Sequence, residues 1–440
     1  MTTAKWIMAG VAAAVLAGCA EEDVILPGKR EDLRAPFGEI SDDRVRTENT
    51  VQKISLPRQT SNANWTNRIG TPATRTAHPA LASQLTGVQW STKIGEGDSR
   101  RHRITADPVV ANGRVFVMDA KSRVTAVSLS GETLWSVDLT PARDQQNDAG
   151  GGGLAFGDGK LFVSSGFGKI RALDPATGGE IWLQDLDAPA TGTPAVSRGL
   201  VYVVSGDSVA WAINTDTGRV EWQLDGASDV SNVSGGPAPA VGDDLVVFGF
   251  GSGEMQAAFR KGGLRRWDAT VAGKRRGIAA STVSDLTGDP VIAGDTVYAG
   301  SYSGRIVAVN ADSGSRIWTA KDGALGPVWP AGGSIFAVTD RNELVRLDGE
   351  TGTRIWGTKL PFFVREDRRR RVEIVAHYGP IIAGGRVLVA SNDGLIRSFD
   401  PTSGAQISAI EVPGGATSNP VVAGNTLYIV SSTGMLHAIR

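Results

Sequence analysis

Pro290-Val-Ile-Ala-Gly-Asp-Thr-Val-Tyr-Ala-Gly-Ser-Tyr-Ser-Gly-Arg-Ile-Val-Ala-Val-Asn-Ala-Asp-Ser-Gly-Ser-Arg-Ile-Trp318 holds four short β-prone runs: Val291-Ile292, Thr296 to Ala299, Arg305 to Val309, and Arg316 to Trp318. Gly294-Asp295 and Asp312-Ser313-Gly314 punctuate them as turns. No run has the length or the period of a core helix. The opening Pro removes only a donor that a strand start can spare. The stretch therefore reads as one small four-stranded sheet.

The same pattern returns along the chain. Its opening Pro stands at Pro108, Pro194, Pro239, Pro290, Pro327, Pro380 and Pro420, and a further copy without Pro starts near Gly152. Its closing Trp stands at Trp135, Trp182, Trp222, Trp267, Trp318 and Trp356, with Ser408 in the seventh copy. The eighth copy reaches Arg440 before any Trp, and the missing piece lies near the other end, at Val88-Gln89-Trp90-Ser91-Thr92. A period of about 45 residues reads as a solenoid, propeller or array. Four strands per repeat, with the last strand supplied from the N-terminal side, select an all-β, eight-bladed β-propeller of antiparallel blades. The ring spans residues 86–440 as one closed unit, large for a single core and reasonable because each blade packs mainly on its neighbours.

A Trp recurring once per blade is a packing residue, needed at every junction, rather than an aromatic cage needed once. Trp65, Trp211 and Trp329 fall outside the pattern and stay open to either role.

The N-terminus carries a second signal. A short basic start with Lys5 precedes an apolar run from Trp6 to Ala17, too short to span a bilayer, and the run ends in Leu16-Ala17-Gly18-Cys19. This stretch resembles a bacterial lipobox. The resemblance implies a signal peptide over 1–18 and acylation of Cys19, the sole cysteine in the chain. One cysteine leaves none for a disulfide or a Cys-rich metal site. Ala20 after the Cys implies, by lipobox sorting, the periplasmic face of the outer membrane. Residues 19–85 are charged and aperiodic and read as a mostly disordered tether. Its end-to-end distance is roughly 45 Å as a flexible chain. A short part near His78 to Leu81 is placed either in the tether or against the ring.

The formal net charge is −1, with no global drive toward nucleic acid or acidic lipid. Local basic runs occur at Arg100 to Arg103, at Lys274-Arg275-Arg276, and at Arg365 with Arg368 to Arg371. They read as solvated loop tips, or alternatively as a patch for an acidic partner. Of His78, His102, His377 and His437, only His102 and His377 fall at loop positions that could face the ring centre, and no pair has metal-ligand spacing. Neither Gly150 to Gly153 nor Gly249 to Gly253 precedes a helix, as a phosphate loop would.

Blades such as Gly168-Lys-Ile-Arg-Ala-Leu-Asp174 to Trp182 resemble the quinoprotein-type propellers. Two groups share that blade. The pyrroloquinoline-quinone dehydrogenases imply a quinone, a calcium ion, an Asp base and usually a vicinal Cys pair, which this chain lacks. The BamB family comprises lipoprotein subunits of the machinery that assembles β-barrels into the outer membrane. The lipobox, the length, the Trp90 strand and the unfinished last blade resemble this second group. That resemblance implies a non-enzymatic scaffold with no cofactor; the alternative readings are a quinone-dependent dehydrogenase-like enzyme and an unrelated periplasmic protein-binding propeller. Its expected partners are a BamA-like central barrel subunit, unfolded outer membrane proteins, and the membrane through the lipid anchor. Docking in the family uses two interblade loops, which match Asn232-Val233-Ser234 and Asp285 to Thr287. The first departs from the family's Leu-x-Leu-Arg signature, so either Arg275 or Arg276 replaces the missing charge or the docking mode differs. Asp285 reads equally as a turn residue.

Overall fold

The structure, a computed structural model, describes residues 48–190, 192–227, 236–271, 273, 283, 285–365 and 373–440. Among these, 32 strands form eight four-stranded antiparallel sheets. In seven sheets the strands follow chain order, as in Val291–Ala293, Thr296–Ser301, Arg305–Asn310 and Arg316–Ala320. These are blades 1 to 7 of the ring, spanning 109–138, 152–185, 195–225, 240–270, 291–320, 329–359 and 377–411.

Blade 8 closes the ring. Val421–Ala423, Thr426–Ser431 and Met435–Ile439 supply its three inner strands, and Val88–Lys93 supplies the outermost. The register is Trp90 with Ala438, Ser91 with His437, Thr92 with Leu436 and Lys93 with Met435. Hydrophobic cores lie between blades. One joins Val109, Phe116 and Val124 of blade 1 to Leu154, Leu161 and Leu173 of blade 2, and comparable clusters fill the other junctions. This follows from burial on both faces of each sheet, which a radial stack provides.

Each motif Trp is a latch onto the next blade. Trp135 donates its indole N–H to Pro175 O at 3.0 Å, Trp182 to Thr215 O at 2.9 Å and Trp222 to Arg260 O at 2.9 Å. Trp267, Trp318 and Trp356 do the same to Ala311, Gly349 and Pro401, at 2.7, 2.9 and 3.1 Å. Trp90 latches blade 8 to blade 1 through Leu129 O at 3.1 Å. Every acceptor sits at the turn between the third and fourth strands of the following blade. The Gly of that turn lies on the indole face: a Cβ on Gly178 would come within 2.7 Å of Trp135, and Gly178 has φ of +76°. Across the sheet the Trp faces an Ala, as in Ala172 with Trp182 and Ala308 with Trp318, except in blade 6, where Trp356 faces Arg346. The recurring Ala, Gly and Trp of the repeat thus serve one contact.

Ser408 in blade 7 now has a physical reason. Its latch would fall on the third-to-fourth turn of blade 8. That turn does not exist, because the fourth strand of blade 8 arrives from the N-terminal side. With no carbonyl to receive an indole, the position holds an exposed Ser408.

Of the tether expected over 19–85, residues 19–47, with Cys19 and the signal peptide before it, lie outside the described residues, and the remainder, including the His78 to Leu81 part left open, is packed on the ring. Residues 48–85 form a strap that crosses one mouth of the ring, where the first-to-second and third-to-fourth turns gather. It meets every blade. The N–H groups of Val110, Phe156, Val241 and Ile292, on the innermost strands of blades 1, 2, 4 and 5, donate to the carbonyls of Trp65, Thr66, Pro72 and Ala73 at 2.8–2.9 Å. In blade 3 the equivalent Val196 N–H donates to Asn67 Oδ1 at 3.0 Å. Blade 6 has Pro330 there, which lacks a donor, and Arg75 of the strap instead donates to Pro327 O and Val328 O at 2.8 and 3.2 Å. Gly385 N–H of blade 7 donates to His78 Nε2 at 2.9 Å, and Asn62 donates to Val422 O of blade 8 at 2.7 Å. The strap supplies partners to strand edges that would otherwise face the channel unpaired. It does so at one or two residues per blade, a spacing that produces no hydrophobic period.

Candidate docking face and the filled hub

The strap fills the hub. Arg68 donates through Nε to Asp107 Oδ2 at 3.1 Å and through Nη1 to Asp289 Oδ1 at 3.3 Å. Asp107 precedes blade 1 and Asp289 precedes blade 5, on opposite sides of the ring. One side chain bridges them only at the axis. Asp107 also accepts from Asn419 N and Nδ2, at 2.7 and 2.8 Å, and Asp289 Oδ1 accepts from Ala238 N at 2.8 Å. Arg75 lies over the Trp329 ring at 4.7 Å from its centroid, and Trp329 packs on Trp65 at 6.3 Å. Two cations and two carboxylates thus balance in a buried volume, as buried charge requires. Burial works against the Arg68 cation, but Asp289 and Asp107 outweigh it and raise its pKa. Burial lowers Arg75 to about 10 and pushes the Asp289 carboxyl up. Trp65 and Trp329, left open by the sequence, are core residues of this hub, at 1% and 0% exposure.

The opposite mouth carries the connections between blades, where docking was expected. Asn232, Val233, Ser234, Arg275 and Arg276 lie outside the described residues, as does Arg368 to Arg371. Asp285 is only 4% exposed, and its carbonyl accepts from Tyr302 N at 3.2 Å. Leu286 is buried in the junction of blades 4 and 5. Thr287 donates to Ala324 O at 2.9 Å. The segment is therefore anchored by packing, and Asp285 offers a partner little surface. Between blades 6 and 7 the chain leaves the ring as two paired arms: Val364 N donates to Glu373 O and Val375 N to Phe362 O, at 3.0 and 2.9 Å. Phe362, Val364 and Ile374 on these arms are exposed.

The histidines have structural partners. His102 Nε2 meets Asn147 O at 3.2 Å, and His377 lies within a strand, not a loop, between Ser391 Oγ and Pro361 O at 2.6 and 2.9 Å. His437 sits under the closing strand, 2.7 Å from Ser91 Oγ. Among the described residues no group of three His, Cys, Asp or Glu is placed to hold a metal ion. A tricyclic quinone does not fit the hub. Its two carboxylates are engaged by Arg68, and Arg75 covers the Trp329 indole. The hollow among Gly192, Ser205, Gly236, Pro237, Gly249 and Asp285 holds about 40 Å³, where roughly 10–15 Å³ admits one water, so it has room for a few waters and not for a tricyclic ring.

Fold and hub together define an eight-bladed propeller of the quinoprotein type, with its channel taken by its own chain. The family profile described as outer membrane protein assembly factor BamB matches residues 120–358. The chain belongs to that family. It is 25% identical over 243 residues to the BamB of Moranella endobia, a match covering 54% of this chain and 62% of that protein. A match to the BamB of Shewanella oneidensis is also 25% identical, over 390 residues, and covers 81% of this chain and 91% of that one. Among solved structures, BamB from Moraxella catarrhalis superposes with a TM-score of 0.65 at 19% identity, covering 81% of this chain and 98% of that one. A europium-containing methanol dehydrogenase superposes at 0.64 with 14% identity, covering 86% and 98%, which speaks to the shared fold alone.

Proposed function

We propose that this protein is a non-enzymatic scaffold lipoprotein of the outer membrane β-barrel assembly machinery. It is anchored through acylated Cys19 at the periplasmic face of the outer membrane. It docks on the periplasmic domains of a BamA-like barrel subunit and aids folding and insertion of outer membrane proteins. The observation that carries this reading is the filled hub in a chain of this family. A propeller whose axis is occupied by Arg68, Arg75 and Trp329 offers rigid rim loops, not a reaction chamber.

The mouth opposite the strap supplies the docking face. The residues proposed for the contact are Asp285 and Thr287 on this mouth together with Asn232 to Ser234, Arg275 and Arg276, which lie outside the described residues. Because Asp285 is buried, it positions this face, and the neighbouring residues make the contact. The outermost strands supply a second surface. Ile181, Ile317 and Ile407 are exposed on them at 47, 49 and 60%, beside free strand edges that an unfolded barrel strand can pair with.

Affinity purification of the tagged lipoprotein from native membranes tests the reading. Recovery of a barrel subunit with periplasmic repeats is expected. Charge reversal at Arg275 and Arg276 should lower that recovery while the thermal melt stays unchanged. Recovery of no barrel subunit, or dye-linked oxidation of alcohols by the purified protein, would overturn it. Photocrosslinkers at Ile181, Ile317 and Ile407 that never trap nascent barrel protein would remove the substrate-pairing part alone.

A further inference from the structure

We propose that the hub between Asp107 and Asp289 is a guanidinium-binding site, and that the strap is its ligand, bound in cis through Arg68. Four observations carry this. The two carboxylates come from opposite blades and converge on one side chain at 3.1 and 3.3 Å. The ring itself holds both carboxylates in place, Asp107 through Asn419 and Asp289 Oδ1 through Ala238 N, so the receptor is built from ring residues and the strap only occupies it. Asp289 is fully buried, yet its Oδ2 has no hydrogen-bond partner, which leaves a further acceptor at the place where a donor-rich cation sits. The strap itself forms no helix or extended strand and adheres through one or two hydrogen bonds to each successive blade, as a bound peptide does.

The ligand class is specific. A guanidinium presents a planar fork of donors that reaches two carboxylates at once, whereas an ammonium is a point charge that satisfies one. The site therefore selects arginine over lysine. An extended segment bearing arginine is the ligand, and residues 60–77 are the copy of it that this chain carries. The consequence is that the ring and its N-terminal segment are held together by recognition at the axis as well as by the closing strand. The strap is the link through which the tether holds the ring.

Chemical rescue in the full-length protein tests this. Arg68→Ala should lower the melting temperature. Ethylguanidinium at millimolar concentration should raise it again with a saturable dose dependence. Ethylammonium should not, and neither cation should raise the melt of wild type or of Arg68→Ala/Asp289→Asn. Arg68→Lys provides a second arm should the alanine variant fail to fold. In it, amide exchange at Val110, Phe156, Val196, Val241 and Ile292 should quicken by about tenfold or more, the effect of one lost charge-assisted hydrogen-bond pair. The proposal is overturned by a non-saturable response, by equal rescue with ethylammonium, or by unchanged exchange at those five amides in Arg68→Lys.

Discussion

Trp356→Ser isolates the latch that recurs around the ring, because it installs at the junction of blades 6 and 7 the residue that the next junction holds naturally. Trp356 is 0% exposed, packs on Phe336 at a 5.9 Å centroid separation, and donates to Pro401 O at 3.1 Å. Truncating a fully buried Trp costs about 3–5 kcal/mol in lost transfer energy and cavity. Pro401 O keeps its second donor, Arg346 Nη1 at 3.3 Å, so loss of the indole bond adds at most about 1 kcal/mol. The reciprocal change, Ser408→Trp, should gain nothing, since blade 8 has no third-to-fourth turn to receive the indole. Urea unfolding followed by tryptophan fluorescence and circular dichroism measures both. A loss of several kcal/mol in Trp356→Ser with no gain in Ser408→Trp is expected. A stabilised Ser408→Trp would refute the reasoning, because the latch would then not need the turn.

Three further outcomes follow from the same geometry. Gly404→Ala should destabilise by about 1–2 kcal/mol from its left-handed backbone alone, and more because the new Cβ would meet Trp356 at 2.6 Å; a neutral melt would contradict the packing. Burial lowers the pKa of both His437 and His377, with the Pro413 and Pro361 carbonyls opposing. A depressed folded pKa gives stability that is complete above the unfolded value of about 6.5 and is lost as pH falls through the folded value. The melting temperature should therefore drop between pH 7 and pH 5, and His437→Gln should flatten part of that drop; an unaltered slope would rule His437 out as a contributor. Deleting residues 86–94 should lower the melting temperature by removing the outer strand of blade 8, and an unchanged melt would discredit closure by that strand.

The ring was legible in the sequence because its contacts repeat. Turn residues, a strand-start Pro and one Trp per blade leave a period that survives divergence of everything else. The position of Ser408 was legible as an exception but not as a consequence, since its cause lies in a turn missing from another blade. Within the strap only His78 to Leu81 was open in the sequence to lying against the ring, and the rest of 48–85 reads as tether for a physical reason. Its hydrogen bonds, from backbone and side chains, are spread over all eight blades, and the residues it sets into the hub, Trp65, Arg68 and Arg75, share no spacing. Pro330 was a visible clue: a Pro in the innermost strand of one blade marks an edge without a donor, and the chain answers it with Arg75. The docking loops left little in the sequence beyond their resemblance, because Asp285 and Thr287 are turn and packing residues first.

Closure by Val88–Lys93 is the claim on which the ring rests, and engineered cysteines test it most directly. In a Cys19→Ala background, Lys93→Cys/Met435→Cys places two thiols on directly paired residues of adjacent antiparallel strands, within disulfide reach. Thr92→Cys/Met435→Cys points them to opposite faces. Mild oxidation should link 93 to 435 in the folded protein and leave 92 and 435 free, read by peptide mapping after proteolysis. Failure of the 93–435 pair to form, or equal formation of both pairs, would contradict a ring completed by its own N-terminal strand in this register.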